Sequence, residues 1–410
     1  MKMSRTQYFT AQQAAHELGI ALPTLYAYVS RGLIRSEVAD SSKRTRRYRA
    51  EDVQKLKERQ AQRRDPAKVA ESALHWGAPV LESAITLVAD NRLYYRGYDA
   101  LELASRCTVE QVATLIWTGE LVSDPAAMFG SAWSPLPPRC QEVQERLTGV
   151  PAIEAFQVLL PLAAVDDLAA YDLRPPVVAQ TGVRIVRLLA TIAAGDSAGD
   201  TLSQRLGQGW AQNSPQTAGL INSALILCAD HELNVSSFTA RCVASAGSTP
   251  YQVVQAGLAA LQGVKHGRMT DRVEAFLREA GSPTGIPAAI AGYLRRGEAI
   301  PGFGHPLYPA GDPRGRLLLD QTAAAFPNSP ILALIQAVAA AVFELMGEHP
   351  TVDFGLVALA QTLNLPPGGA ITLFALGRTI GWIGHAIEQY QLDRIIRPRA
   401  QYIGKQPVEF

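Results

Sequence analysis

The sequence predicts a mostly all-α protein in which a large helical body follows a small winged helix-turn-helix head. Three observations predict it. Beyond residue 66 nearly every segment is alanine-rich, carries apolar residues at helical spacing, and is broken by Gly, Pro or Asp. Near the start, two short helix signals flank a glycine turn and run into a basic ribbon. The charge is also split. Residues 1–64 hold 14 Lys+Arg against 6 Asp+Glu and the remainder 24 against 31, an asymmetry hidden in a net charge of +1. A basic head on an acidic body implies two modules with different partners.

The elements follow in order. Thr10 is a good N-cap and Gln13 completes a capping box ahead of the apolar positions Ala14, Ala15 and Leu18, and Gly19 stops that helix. A second helix starts with Pro23 in its first turn, carries Leu25, Tyr26 and Val29 at helical spacing, and ends at Gly32. A polar stretch from Ser36 to Ser42 leads to the basic run Lys43-Arg44-Thr45-Arg46-Arg47-Tyr48-Arg49, and Ala50-Glu51-Asp52-Val53 opens a third helix. Residues 59–66 read as a polar hinge. In the body, Ile85, Leu87 and Val88 predict a short strand or ribbon entering Arg96-Gly97-Tyr98-Asp99, and residues 121–150 read as proline-rich and irregular.

Composition narrows the class. At 410 residues the chain holds two or three domains, and 48% hydrophobic with 18% charged residues is a globular composition. Met1 to Phe9 contains no apolar leader segment, and the longest apolar run, Ile331 to Met346, falls short of the ~20 residues that span a bilayer. It reads as a buried helix, and no membrane association is expected. Cys107, Cys140, Cys228 and Cys242 form no Cys-x-x-Cys pair and no metal spacing with His, as reduced cytoplasmic thiols would.

The chemistry is carried by Gly263-Val264-Lys265-His266-Gly267, by Gly302-Phe303-Gly304-His305 with Asp312-Pro313-Arg314, and by Val352-Asp353-Phe354-Gly355. Two histidines and a carboxylate on separate elements, with an arginine nearby, are what carbon–carbon bond formation on a thioester needs. A carboxylate can remove the weakly acidic proton beside a thioester carbonyl only if a donor stabilises the oxyanion at once. A neutral histidine suits that task. A second histidine must polarise the ketone under attack, and arginines must clamp the keto acid's carboxylates.

The order and wording of these segments resemble the citrate synthase family, of the type II-like bacterial citrate or 2-methylcitrate synthases, from about Val80 to Gly404, with a weaker match over 121–200. The resemblance implies that family's fold, with a large domain of residues 67–266 and 361–410 and a small closing domain of 267–360. It also implies Asp353 as the base, His266 as the enol-stabilising donor and His305 as the ketone polariser. In Cys228-Ala229-Asp230-His231-Glu232 it assigns His231 to the keto acid. Arg314 matches a carboxylate-binding arginine, as does Arg378 in Phe374-Ala375-Leu376-Gly377-Arg378-Thr379. Arg397, in Arg397-Pro398-Arg399, matches an arginine supplied by the partner subunit, which makes the expected protein at least a homodimer. The implied reaction joins acetyl-CoA to oxaloacetate, with no metal or bound organic cofactor; propionyl-CoA, giving 2-methylcitrate, is the near alternative.

This sequence departs from the family wording in places. Lys265 and Arg268 flank His266, and would bear on its charge or on a CoA phosphate only if turned inward. Pro306 follows His305 where a cation is common, and Cys228 replaces a frequent histidine. His16 and His349 read as surface residues, His385 as a structural residue one face away from Arg378, and His75 carries no motif. Tyr8 to Leu56 is similar to the winged DNA-binding head of MerR and excisionase-like regulators, through Thr24-Leu25-Tyr26, Arg31-Gly32-Leu33-Ile34 and Tyr48-Arg49-Ala50-Glu51-Asp52-Val53. Ala21 replaces the polar N-cap of its recognition helix, and Tyr26 and Ala27 stand where base-reading side chains would. The basic wing suits phosphate contact. DNA binding through residues 1–64 and a docking or dimerising role both stay open, as does a regulator that senses oxaloacetate or an acyl-CoA through the body.

Overall fold

The computed structural model describes residues 8–31, 33–38, 46–50, 52–53, 81–130, 133–210, 215–400 and 402–407. The chain divides into two compact units, 1–82 and 83–410. The expected domain junction at 64–67, Gly32, His75 and the residues Lys43 to Thr45 of the basic run lie outside the described residues.

In the first unit, helix α1 (Ala11–Leu18) starts with the expected box: Gln13 N–H donates to Thr10 Oγ1, and Thr10 N–H donates to Gln13 Oε1. Gly19 ends it in the left-handed region at φ 61°. Helix α2 (Leu22–Ser30) begins at Ala21 without a side-chain cap. Strands β1 (Tyr8–Phe9), β2 (Ser36–Val38) and β3 (Arg46–Arg49) form an antiparallel sheet with β3 in the middle. Ala14, Ala15, Leu18, Leu25, Ile34, Tyr48 and Val53 close a small core of their own.

The second unit opens with the expected ribbon, a three-stranded antiparallel sheet of β4 (Thr86–Ala89), β5 (Arg92–Tyr95) and β6 (Tyr98–Asp99). Ala89 pairs with Arg92, so Asp90 and Asn91 make a two-residue turn, both at positive φ (51° and 59°), as the twist of a hairpin requires. The segment 121–150 is not wholly irregular, as expected above. It contains helices Ala126–Phe129 and Pro138–Arg146, the second using Pro138 in its first turn, where proline's missing N–H costs nothing.

Helix Gly369–Leu392 is the axis of the core. It is buried over most of its length and packs against helices Pro175–Ala194, Pro215–Cys228, Val235–Ser245 and Pro250–Leu261. Both it and Pro175–Ala194 are long and apolar enough to cross a bilayer, but an 18-residue window of the first is 100% buried and of the second 61% buried inside the protein. Ile331–Met346 is the body of helix Pro330–Met346, whose inner face is buried.

Close approaches along the axis are set by glycine. A Cβ on Gly381 would lie 2.3 Å from Ala229 O and 2.6 Å from Asp230 Oδ1, and Gly381 N–H donates to Ala229 O at 3.0 Å. The segment ending helix Pro215–Cys228 therefore rests directly on the axial helix. Gly381→Ala gains up to about 1 kcal/mol of helix propensity but must push that segment away at about 1–3 kcal/mol. The clash wins, so the variant is expected to unfold at lower urea than the parent.

Candidate active site

Six of the seven site residues expected from the sequence converge, mostly from loops that end at helix N-termini. His231 sits in the turn between helices Pro215–Cys228 and Val235–Ser245, and His266 in the turn between Pro250–Leu261 and Met269–Ala280. His305 lies on the loop before helix Pro313–Ala325. Arg314 and Asp353 occupy the first turns of that helix and of Val352–Thr362, and Arg378 lies in the axial helix. The His231 and His305 rings stand edge to face at 5.4 Å, and Tyr308 Oη lies 2.9 Å from His231 Nε2. Phe374 bridges two others, with the His266 ring at 5.8 Å and the Arg378 guanidinium over its face at 5.0 Å. Arg397 is not in this cluster. It is exposed on an extended tail held where Gln389 Nε2 donates to Arg394 O and Ile396 N–H donates to Ser245 Oγ.

Burial dominates the electrostatics. Arg314 and Arg378 are 2% and 1% exposed. Arg314 is gripped in two-pronged fashion by Asp312, Nε to Oδ1 at 3.0 Å and Nη2 to Oδ2 at 2.8 Å. Asp312 also caps its own helix through Arg314 N–H and takes Val352 N–H at 3.0 Å, tying two helix starts together. Those helices touch because Gly315 has no side chain: a Cβ there would meet Thr351 O at 2.3 Å. Arg378 has less. Its Nε donates to Cys228 O at 2.7 Å, while Nη1 is buried with no partner among the described residues.

The three histidines are held neutral. Burial, then the field of Arg378, lowers His266 to about 3. Burial, then Arg314, lowers His305 to about 4. His231 falls well below its ordinary value by burial, with Arg314 and Arg378 adding to the effect. Leu307 N–H donates to His305 Nδ1 at 3.2 Å, so the neutral ring carries its proton on Nε2. His266 Nε2 lies 2.8 Å from Ser236 Oγ, which also receives Trp382 Nε1–H at 3.3 Å. Asp353 behaves in the opposite sense: burial pushes its carboxyl up to about 6, against the downward pull of Arg314. Thr351 Oγ1 reaches its Oδ2 at 3.4 Å, and Oδ1 is buried without a partner among the described residues.

The structure also settles smaller questions. Lys265 is exposed, and Arg268 pairs with Glu154 and Asp271, so neither faces His266. His16 is exposed as expected, but His349 is half-buried, with its ring 4.7 Å from that of Phe343 and packed under Gly311. The expectation that His385 lies a face away from Arg378 is corrected. Seven residues are two turns, so both side chains address the 228–230 segment, and His385 Nε2 lies 3.1 Å from the fully buried Asp230 Oδ1. Asp312, Ser236, Tyr308 and Trp382 were not singled out. Asp-Pro-Arg as a helix start signals Asp312; the others carry no local signal. Two cavities of about 210 and 200 Å³ elsewhere in the body are lined by none of the seven residues.

Residues 73–399 match the family model "Citrate synthase, C-terminal domain". The chain belongs to the citrate synthase family. That family comprises acyltransferases that condense acetyl-CoA with oxaloacetate. Residues 8–61 separately match a helix-turn-helix domain model. Among relatives, a citrate synthase of Mycolicibacterium smegmatis is 31% identical over 80% of this chain and 94% of its own length. A 2-methylcitrate synthase of Mycobacterium tuberculosis is 30% identical over 80% and 89%. The fold is that of citrate synthase from Pyrobaculum aerophilum (TM-score 0.71, 25% identity, 81% of this chain and 92% of that one). It is also that of the Thermoplasma acidophilum citrate synthase solved in a ternary complex with carboxymethyl coenzyme A and oxaloacetate (TM-score 0.70, 21% identity, 81% and 96%).

The raised carboxyl of Asp353 has a consequence for stability. Its native pKa lies above the unfolded value, so its ionised form is disfavoured in the native state, and stability falls as pH rises through about 6. Asp353→Asn removes that buried charge. The variant is expected to be more stable than the parent at pH 8, on the order of 3 kcal/mol, and little different near pH 4. Urea melts at both pH values check this.

Proposed function

We propose that this chain condenses acetyl-CoA with oxaloacetate and, with water, releases citrate and CoA. The observation that carries the reading is a carboxylate poised near pH 6 among three neutral histidines, with a buried arginine Nη1 left to receive a substrate carboxylate. Asp353 takes a proton from the acyl methyl group. As the thioester oxygen gains charge, His266 donates to it. Ser236 Oγ, whose hydroxyl donates to Asn234 Oδ1 at 2.8 Å, lies 2.8 Å from His266 Nε2 and holds the imidazole in place. The enol carbon attacks the ketone carbon while His305 Nε2–H stabilises the new alkoxide. His231, Arg314 and Arg378 hold oxaloacetate, and Arg397 completes the site from the other subunit of a homodimer. Hydrolysis of the citryl thioester then makes the reaction effectively irreversible.

The same reading takes residues 67–266 and 361–410 as the large domain and 267–360 as a small domain closing over the acyl-CoA. Asp353 and His305 then stand on one side and His231 and Arg378 on the other. It includes a type II-like bacterial subtype, a cytoplasmic location, and chemistry that needs no metal or bound organic cofactor. Propionyl-CoA is the alternative acyl donor, favoured by a 2-methylcitrate synthase relative as similar as the citrate synthase one. One methylene is worth only about 1–3 kcal/mol of discrimination.

A DNA-binding role for the head is the second reading, supported by the charge split and the helix-turn-helix match. Among the described residues part of the head's charge is spent internally: Arg49 pairs with Glu37, Arg35 with Asp52, and Arg47 stacks on Tyr8 at 4.4 Å. Arg31 and Arg46 are exposed and suited to phosphate. Arg31→Ala with Arg46→Ala is expected to weaken binding of duplex DNA severalfold and to flatten its salt dependence, with turnover unchanged.

Free-CoA release with oxaloacetate plus acetyl-CoA or propionyl-CoA tests the catalytic reading and names the donor. Release is expected to require oxaloacetate, to rise with pH through about 6, and to vanish in Asp353→Ala, which keeps oxaloacetate binding because the arginine clamp is separate. No release with either thioester, or weak oxaloacetate binding in that variant, overturns the assignment.

A further inference from the structure

The loop that bears His305 is pinned from two sides. On one side stands residue 349: its carbonyl accepts Gly304 N–H at 3.0 Å, and its ring packs under Gly311, where a Cβ would lie 2.8 Å away. On the other side is the β4–β5 turn. Asn91 Nδ2 donates to Gly311 O at 2.9 Å, and Ala310 N–H donates to Asn91 Oδ1 at 3.4 Å, across about 220 residues of sequence. Between these grips the chain folds into two consecutive turns, with Tyr308 N–H bonded to His305 O and Gly311 N–H to Tyr308 O. Gly304 and Gly311, at φ 72° and 100°, are the pivots at either end. Tyr308, shared by both turns, is the residue whose hydroxyl meets His231.

We propose that Asn91 is a positioning residue for His305 and, through Tyr308, for His231; this rests on the reading that His305 polarises the ketone. The amide matches both unpaired groups of one peptide stretch, which a donor-only or acceptor-only side chain cannot do. The same hairpin reaches the other keto-acid segment, where Thr86 Oγ1 donates to Asp230 Oδ2 at 2.6 Å. One ribbon thus fixes the relative placement of two histidines that the sequence separates by 74 positions. Without the Asn91 amide, the Gly311 pivot is free to swing, and the ring that must donate to the ketone oxygen moves with it. Displacements of about 1 Å at a reacting centre cost orders of magnitude in rate.

The test uses the full chain with Asn91→Gly and Asn91→Asp. Both residues suit a left-handed turn position, so a role confined to the hairpin turn leaves turnover normal in both. Aspartate keeps the acceptor for Ala310 N–H but turns a carboxylate toward the Gly311 carbonyl. The expectation is a kcat at least tenfold lower in each variant, with the acyl-CoA KM within twofold and the melting temperature within about 2 °C. Normal kcat in Asn91→Gly overturns the proposal, as does a loss of kcat that merely tracks a lower melting temperature. Amide hydrogen exchange over residues 304–311 gives an answer independent of catalysis. Exchange at least tenfold faster in Asn91→Gly supports the latch even if the parent protein releases no CoA; unchanged exchange overturns it.

Discussion

Two fully enclosed arginines govern the rest of this structure. A guanidinium taken out of water is tolerated only where opposite charge and acceptors meet it, and the two are met differently. Asp312 saturates one edge of Arg314, making the pair a fixed strut that also takes the backbone of Val352 and so sets where Asp353 stands. Among the described residues Arg378 is left short, with one carbonyl and an unpartnered Nη1. One cation builds the site, and the other is kept hungry for a carboxylate.

The same charges set the protonation pattern. In a dry enclosure near two cations, imidazoles stay uncharged and become donors rather than acids. The carboxyl of Asp353 is not brought low by Arg314 because burial outweighs that attraction. A base that strong is bought with native stability, a trade that active sites commonly make.

Much of this was readable in the sequence because it is written locally. Thr10 with Gln13, Pro23 in the first turn of the second helix, and the ribbon signalled by Ile85, Leu87 and Val88 are signals within a few residues, and each became the element it announced. The list of site residues came from short phrases in the right order. What escaped was long-range or turned on phase. Tyr308 meets His231 and Asn91 meets Gly311 only because of the tertiary fold. His385 was misjudged because seven residues on a helix return to nearly the same side. The irregular reading of 121–150 failed because proline was taken as a breaker, whereas Pro138 starts a helix.

The axial helix also fixes a timetable. Among the described residues the small head closes a core of its own between Ala14 and Val53. The body closes late: the axial helix Gly369–Leu392 follows in the chain the four helices that pack against it most extensively. During synthesis the head can therefore fold first, while the packing of the body waits for that helix. A chain cut before Gly369 loses the keystone of the body and keeps the separate core of the head.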